Sequence, residues 1–166
     1  MNKKIILDIY EQVRFTNNTF NKPPLSKDDP LYWDKLKSQA KLIKEELDEL
    51  IEGLDNKDFR EVRDAVADIL VVTLGVAHLS DIDVNSDMQK VTDSNLSKVC
   101  PTLDDAKNTQ EYYLVKKGIK TEIKPCPTFT GYIIVVPTEQ VGSDNKVYPA
   151  GKFLKSLSNF KEPNLD

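Results

Sequence analysis

The sequence predicts an all-α fold: a bundle of four to five helices with a small C-terminal β-hairpin appendage. Three observations carry that expectation. Apolar residues recur at steps of three and four through most of the first 118 positions. Capping and loop-forming residues (Pro23, Pro24, Asp58, Thr102, Gly118) punctuate those stretches. Beyond Gly118 the pattern changes, and β-like runs appear at 121–123 and 132–136. The expected division is a helical domain over 1–118, with residues 119–166 as a hairpin and extended tail packed on that same domain.

The first helix is expected over about 3–20, from Ile5, Ile6, Ile9, Val13 and Phe20, ending near Asn17-Asn18. Pro23, Pro24, Asp28, Asp29 and Pro30 then predict a loop. The second helix runs from Tyr32 to about Leu54 on an amphipathic stripe of Leu36, Ala40, Ile43, Leu47, Leu50 and Leu54, with Gly53 weakening its end. Asp58 is the predicted N-cap of the third helix, which continues to about Leu79. Its second half is apolar nearly all round, which predicts a place at the centre of the bundle. A short helix over 86–97 follows. Thr102 then caps a helix that carries Asp104 and Asp105 in its first turn and stops at Gly118. Gly142, Ser143, Asp144 and Asn145 mark a turn before Val147-Tyr148, and the tail from Lys152 has few helix or strand signals.

Composition narrows the function classes. The 166 residues are 39% hydrophobic and 30% charged, an ordinary globular balance. A net charge of -4 argues against a nucleic-acid partner, since an acidic chain gains nothing from counterion release. Cys100 and Cys126 lack CxxC spacing, and the single histidine, His78, rules out a His-rich zinc site. The apolar run after Met1-Asn2-Lys3-Lys4 is too short for a signal peptide, and 69–77 is too short to span a bilayer. The expectation is a cytoplasmic protein with no membrane partner.

The chemistry-bearing pattern is acidic. Residues 45–58 hold seven carboxylates against one lysine, Lys57. On the second helix Glu46 and Glu49, or Glu45 and Glu49, share a face; on the third, Glu61, Asp64 and Asp68 stand at i, i+3 and i+7. A short connection makes the two helices antiparallel neighbours. Carboxylates crowded at one place cannot all ionise without a cation. Oxygen ligands alone select Mg²⁺ or Mn²⁺, and such ions can clamp a phosphoryl centre and activate water. The competing readings are a solvated acidic face and, for Asp68 in its apolar setting, an ion pair with Arg60 or Arg63.

Glu45-Glu46-x-x-Glu49 followed by Glu61-x-x-Asp64 resembles the EExxE…ExxD signature of the all-α NTP pyrophosphohydrolases, which include MazG, dimeric dUTPases and phosphoribosyl-ATP pyrophosphohydrolases. Residues 64–72, the Asp93–Lys98 segment and the Lys152–Ser156 and Phe160–Leu165 tail are similar to small MazG-like proteins. The resemblance covers roughly residues 36–166. It implies that Glu46, Glu49, Glu61 and Asp64 ligate Mg²⁺, with Glu45 a ligand or the base that orients water; in a second register Asp68 replaces Asp64. It implies attack on the α-phosphorus of a nucleoside triphosphate, releasing pyrophosphate, with Asn95 and Lys98 on phosphate or sugar. Sites at subunit interfaces imply a homodimer or homotetramer, and the apolar surface of 69–79 agrees. The alternatives are a non-catalytic acidic interaction module and a phosphoribosyl-ATP pyrophosphohydrolase.

Several other residues read as structural. Tyr32 and Trp33 suit a hydrophobic staple at helix entry better than a base-stacking platform. His78 reads as a packed or capping histidine, and the two cysteines as inert.

Overall fold

A computed structural model describes residues 8–166, so the expected helical start at Ile5 and Ile6 lies outside the described residues. Five helices and two antiparallel strand pairs follow in order: α1 Ile9–Thr19, α2 Tyr32–Asp55, α3 Phe59–Ser80, α4 Val84–Leu96, α5 Leu103–Lys117, then β1 Glu122–Pro125, β2 Tyr132–Val135, β3 Gln140–Val141 and β4 Val147–Tyr148. The all-α bundle with a C-terminal hairpin is the observed class. Contacts divide the chain into two compact units, Met1–Asn85 and Ser86–Asp166.

In the first unit, α1 begins at Asp8, whose carboxylate accepts the Glu11 amide at 2.8 Å. Val13 is its buried residue. The 20–31 loop is held by its backbone: the Leu25 amide donates to Leu79 O at 2.8 Å, and the Tyr32 amide to Asp29 O at 2.9 Å. The Asp58 carboxylate caps α3 as expected, accepting the amides of Arg60 and Glu61. Asp81, left-handed at φ 56°, closes the other end of α3.

Two expectations for this unit need correction. Gly53 does not weaken the end of α2; it is buried inside the helix and brings α3 close. The second half of α3 is not enclosed on all sides. Ala65, Val72, Gly75 and Ala77 are buried, but Leu70 and Val71 remain 44% and 45% exposed. Likewise Leu36 of the α2 stripe is buried while Leu47 and Leu54 are exposed. Three helices cannot surround two apolar stripes.

The second unit holds the tighter core. Cys100, Ala106, Ile119, Ile134, Val136, Tyr148 and Leu154 form one buried cluster. Thr102 caps α5 by accepting the Asp105 amide, and Gly118, at φ 66°, ends it. A left-handed C-cap is where glycine lacks a steric penalty. Strand β2 pairs with β1 in the register Glu122↔Val135 to Pro125↔Tyr132. Its other edge takes single bridges from Cys100 and from Phe153 of the tail. The tail therefore has strand-like pairing that its composition did not announce. The 142–145 turn docks on the end of α5, where the Ser143 amide donates to Lys117 O at 2.8 Å and Lys117 pairs with Asp144 at 3.1 Å.

Candidate active site

The α2–α3 pair is built on two heptad stripes, a spacing that keeps one seam of a helix facing its neighbour. Gln39, Glu46 and Gly53 stand seven apart on α2; Glu61, Asp68 and Gly75 stand seven apart on α3. Running antiparallel, they meet in three rungs. At one end a Cβ on Gly53 would lie 3.2 Å from Glu61 Cβ and from Val62 N. At the other, a Cβ on Gly75 would lie 2.7 Å from Gln39 Nε2, which reaches Val72 O at 3.4 Å. The middle rung is Glu46 against Asp68, both half-buried. Small residues at the two ends let the helices approach, and the approach brings the two carboxylates together.

The electrostatics of Glu46 agree with that placement. Burial pushes the Glu46 carboxyl above its usual range, and the charges of Glu49, Asp68 and Glu45 push it the same way. Three carboxylates, drawn from both helices, thus act on Glu46. Glu45, Glu49 and Glu61 are exposed along the rim. Asp64 is placed differently: it lines a shallow pocket of about 350 Å³ beside Arg60 and Arg63. Among the described residues no ion pair involves Arg60 or Arg63, so Asp68 is not neutralised by them.

The donor set at the middle rung is carboxylate oxygen throughout, with repulsion focused on Glu46. That chemistry fits a hard divalent cation. Among the described residues, no three Asp, Glu, His or Cys side chains close into a ligating cluster within one chain.

Asn95 and Lys98 belong to the second unit. Lys98 Nζ donates to Asn95 Oδ1 at 2.7 Å, fixing the pair on the last turn of α4 and the residues after it. The tail supports this segment: the Lys161 amide donates to Ser97 Oγ at 2.9 Å, and Asn159 Nδ2 to Val99 O at 2.9 Å. The Asp93–Lys98 segment and the tail are therefore one substructure.

His78 is packed, as expected. It is 2% exposed, its Nε2 donates to Lys22 O at 2.8 Å, and its Nδ1 has no partner. Cys100 is buried; the Cys126 thiol is made more acidic by hydrogen bonds from the Thr128 amide and hydroxyl. Tyr32 is buried, but Trp33 is 71% exposed, edge-on to Tyr32 at 5.2 Å. Tyr32 is the first residue of α2, after the N-cap Leu31, and it packs inward where Trp33 does not. Trp33 lines a mostly apolar pocket of about 470 Å³ with Lys27, Leu36, Val76 and Ile82. Sequence reasoning missed this pocket because its walls come from α2, α3 and the loops flanking them.

No single described helix is long and apolar enough to cross a membrane. Residues 13–95 match the family model described as phosphoribosyl-ATP pyrophosphohydrolase. No curated protein and no solved structure matches the chain. The matched segment contains α2, α3 and every rung residue.

Proposed function

The chain belongs to the phosphoribosyl-ATP pyrophosphohydrolase family, a family of hydrolases of nucleotide pyrophosphate bonds, and we propose that this member cleaves a nucleoside triphosphate between its α and β phosphorus atoms. The observation that carries this reading is the coupled carboxylate set Glu46, Glu49, Asp68 and Glu45 inside the matched segment. In a purely solvated acidic face no carboxyl would be half-buried and raised by the charges of three others, as Glu46 is.

Glu46, Glu49, Glu61, Asp64 and Asp68 are the residues that would hold Mg²⁺, or Mn²⁺ in its place, with Asp68 favoured over Asp64 by its position against Glu46. Such an ion, when bound, offsets the carboxylate repulsion and draws charge from the phosphate oxygens. Glu45, at the rim, orients a water and accepts its proton. The water oxygen bonds to the α-phosphorus; the bond to the α–β bridging oxygen breaks, and its electron pair leaves with pyrophosphate. Asn95 and Lys98 grip phosphate or sugar, since a triphosphate needs cationic donors. The role is nucleotide-pool control in the cytoplasm.

Self-association belongs to the same proposal. Leu47, Ile51 and Leu54 on α2, with Phe59, Val66 and Leu70 on α3, are between 44% and 74% exposed. Apolar surface on that scale fits a second copy, giving a homodimer or homotetramer.

One second reading is favoured by the matched family's description: the substrate is phosphoribosyl-ATP, with the same bond broken. Pyrophosphate release measured across the common NTPs, dNTPs and phosphoribosyl-ATP, with Mg²⁺ and with EDTA, separates the two. Metal-dependent release from an NTP or dNTP supports the first, release from phosphoribosyl-ATP alone the second. No release from any of them returns the protein to a non-catalytic acidic module.

A further inference from the structure

The second unit contains a cavity of about 380 Å³ that none of the carboxylates of α2 and α3 lines. That volume is within the range of small-ligand sites, roughly 300–1,000 Å³. Its lining is unlike the rest of this acidic chain: five lysines (Lys98, Lys117, Lys146, Lys152 and Lys155) and four aromatic residues, against one carboxylate, Asp144.

The lysines are not equivalent. Lys117 is paired with Asp144, which also accepts from the Tyr148 hydroxyl at 3.1 Å. That pair builds the wall. Lys155 is held by Glu162 at 2.7 Å and lies over the Phe160 ring. Lys98 is held by Asn95 at 2.7 Å. Lys146 and Lys152 have no ion-pair partner among the described residues. The Lys152 ammonium lies over the Tyr148 ring, 5.1 Å from its centroid. Two ammonium groups without an ion-pair partner on one concavity leave a positive potential there that a polyanion relieves. The aromatic residues divide in the same way. Tyr148 is buried in the core, whereas Phe153 is 57% and Tyr112 36% exposed, each with a ring surface open to a planar ligand.

We propose that this cavity binds a nucleoside phosphate without metal, with Lys146 and Lys152 on the phosphates and the base stacked on Phe153, the more exposed of the two rings. The site lies outside residues 13–95, all its lining residues come from the second unit, and of them only Lys98, which is not one of its phosphate ligands, is also assigned to the pyrophosphohydrolase reading.

The test is calorimetric titration of the full chain, in EDTA at low salt, with ATP and with inorganic triphosphate. EDTA removes any metal-dependent binding. Both probes should bind, more weakly as salt rises. Lys146→Gln with Lys152→Gln should lose about tenfold or more for both probes, and the paired Arg replacements should keep binding. Both lysines are exposed, and unchanged melting curves check that the variants are folded. Phe153→Ala should weaken ATP by about fivefold while leaving triphosphate unchanged. Glu49→Gln should bind as the wild type. The proposal is overturned by no binding of either probe, by wild-type affinity in the double Gln variant, or by loss of binding in Glu49→Gln. Equal affinity of Phe153→Ala for ATP overturns the nucleoside part. Pyrophosphate release is a separate readout, so the two proposals fail separately.

Discussion

Glu46 is the residue on which the reading turns. Its carboxyl is raised by burial and then by three neighbouring negative charges, so the folded state favours its protonated form. Stability from this group is fully present below its unfolded pKa and is lost as pH rises through the higher folded value. Glu46→Gln, measured in EDTA, should therefore melt higher than wild type at neutral pH, with the difference vanishing on acidification below the ordinary glutamate range. A variant that melts lower at neutral pH would show that Glu46 is paired favourably and not crowded. Glu49→Gln should abolish turnover with the fold intact; loss of activity through unfolding would remove Glu49 from the site. The sequence made the two acidic faces visible but not which of Asp64 and Asp68 lies toward Glu46. Asp64 and Asp68 lie on neighbouring turns of one helix, and only the facing helix distinguishes them.

The α2–α3 pair shows why local signals carried the element boundaries and missed the seam. Asp58, Thr102 and Gly118 act through hydrogen bonds and dihedral angles a few residues away, so their roles are legible from neighbouring letters. The Gln39–Glu46–Gly53 stripe is polar or glycine at every step, and a search for apolar periodicity passes over it. Read locally, Gly53 is a helix breaker; its actual role depends on Glu61 and Val62 of α3. The two seam glycines should respond oppositely to substitution. At Gly75 the nearest obstacle is the flexible end of Gln39, so Gly75→Ala should be neutral or stabilising by up to about 1 kcal/mol, the helix-propensity gain. At Gly53 the obstacles include the Val62 backbone, so Gly53→Val should destabilise by about 1–3 kcal/mol. Chemical denaturation of both variants checks the pair; equal effects would mean that the seam is not close-packed. The tail was opaque for a related reason. Its bridge from Phe153 to Val135 joins distant positions, and its own letters carry no strand period.

For the whole molecule, the apolar side chains left uncovered on α2 and α3 connect stability to assembly. Light scattering after size exclusion should give a dimer or larger, and Ile51→Lys with Leu70→Glu should shift it toward monomer; a wild-type monomer at high concentration would contradict self-association. Metal should also act on the whole fold. An ion bound only by the native state stabilises by mass action, about 2.7 kcal/mol at one hundred times Kd. Both effects bear on the central claim, that the rung joining Glu46 to Asp68 is where a nucleotide pyrophosphate bond is hydrolysed. The most direct measurement is pyrophosphate release in Mg²⁺ by the wild type and by Glu46→Gln, on the nucleotide that the wild type turns over fastest. The account predicts metal-dependent release by the wild type and a loss of about a hundredfold or more in the variant, with its fold intact. Undiminished release by folded Glu46→Gln would contradict it.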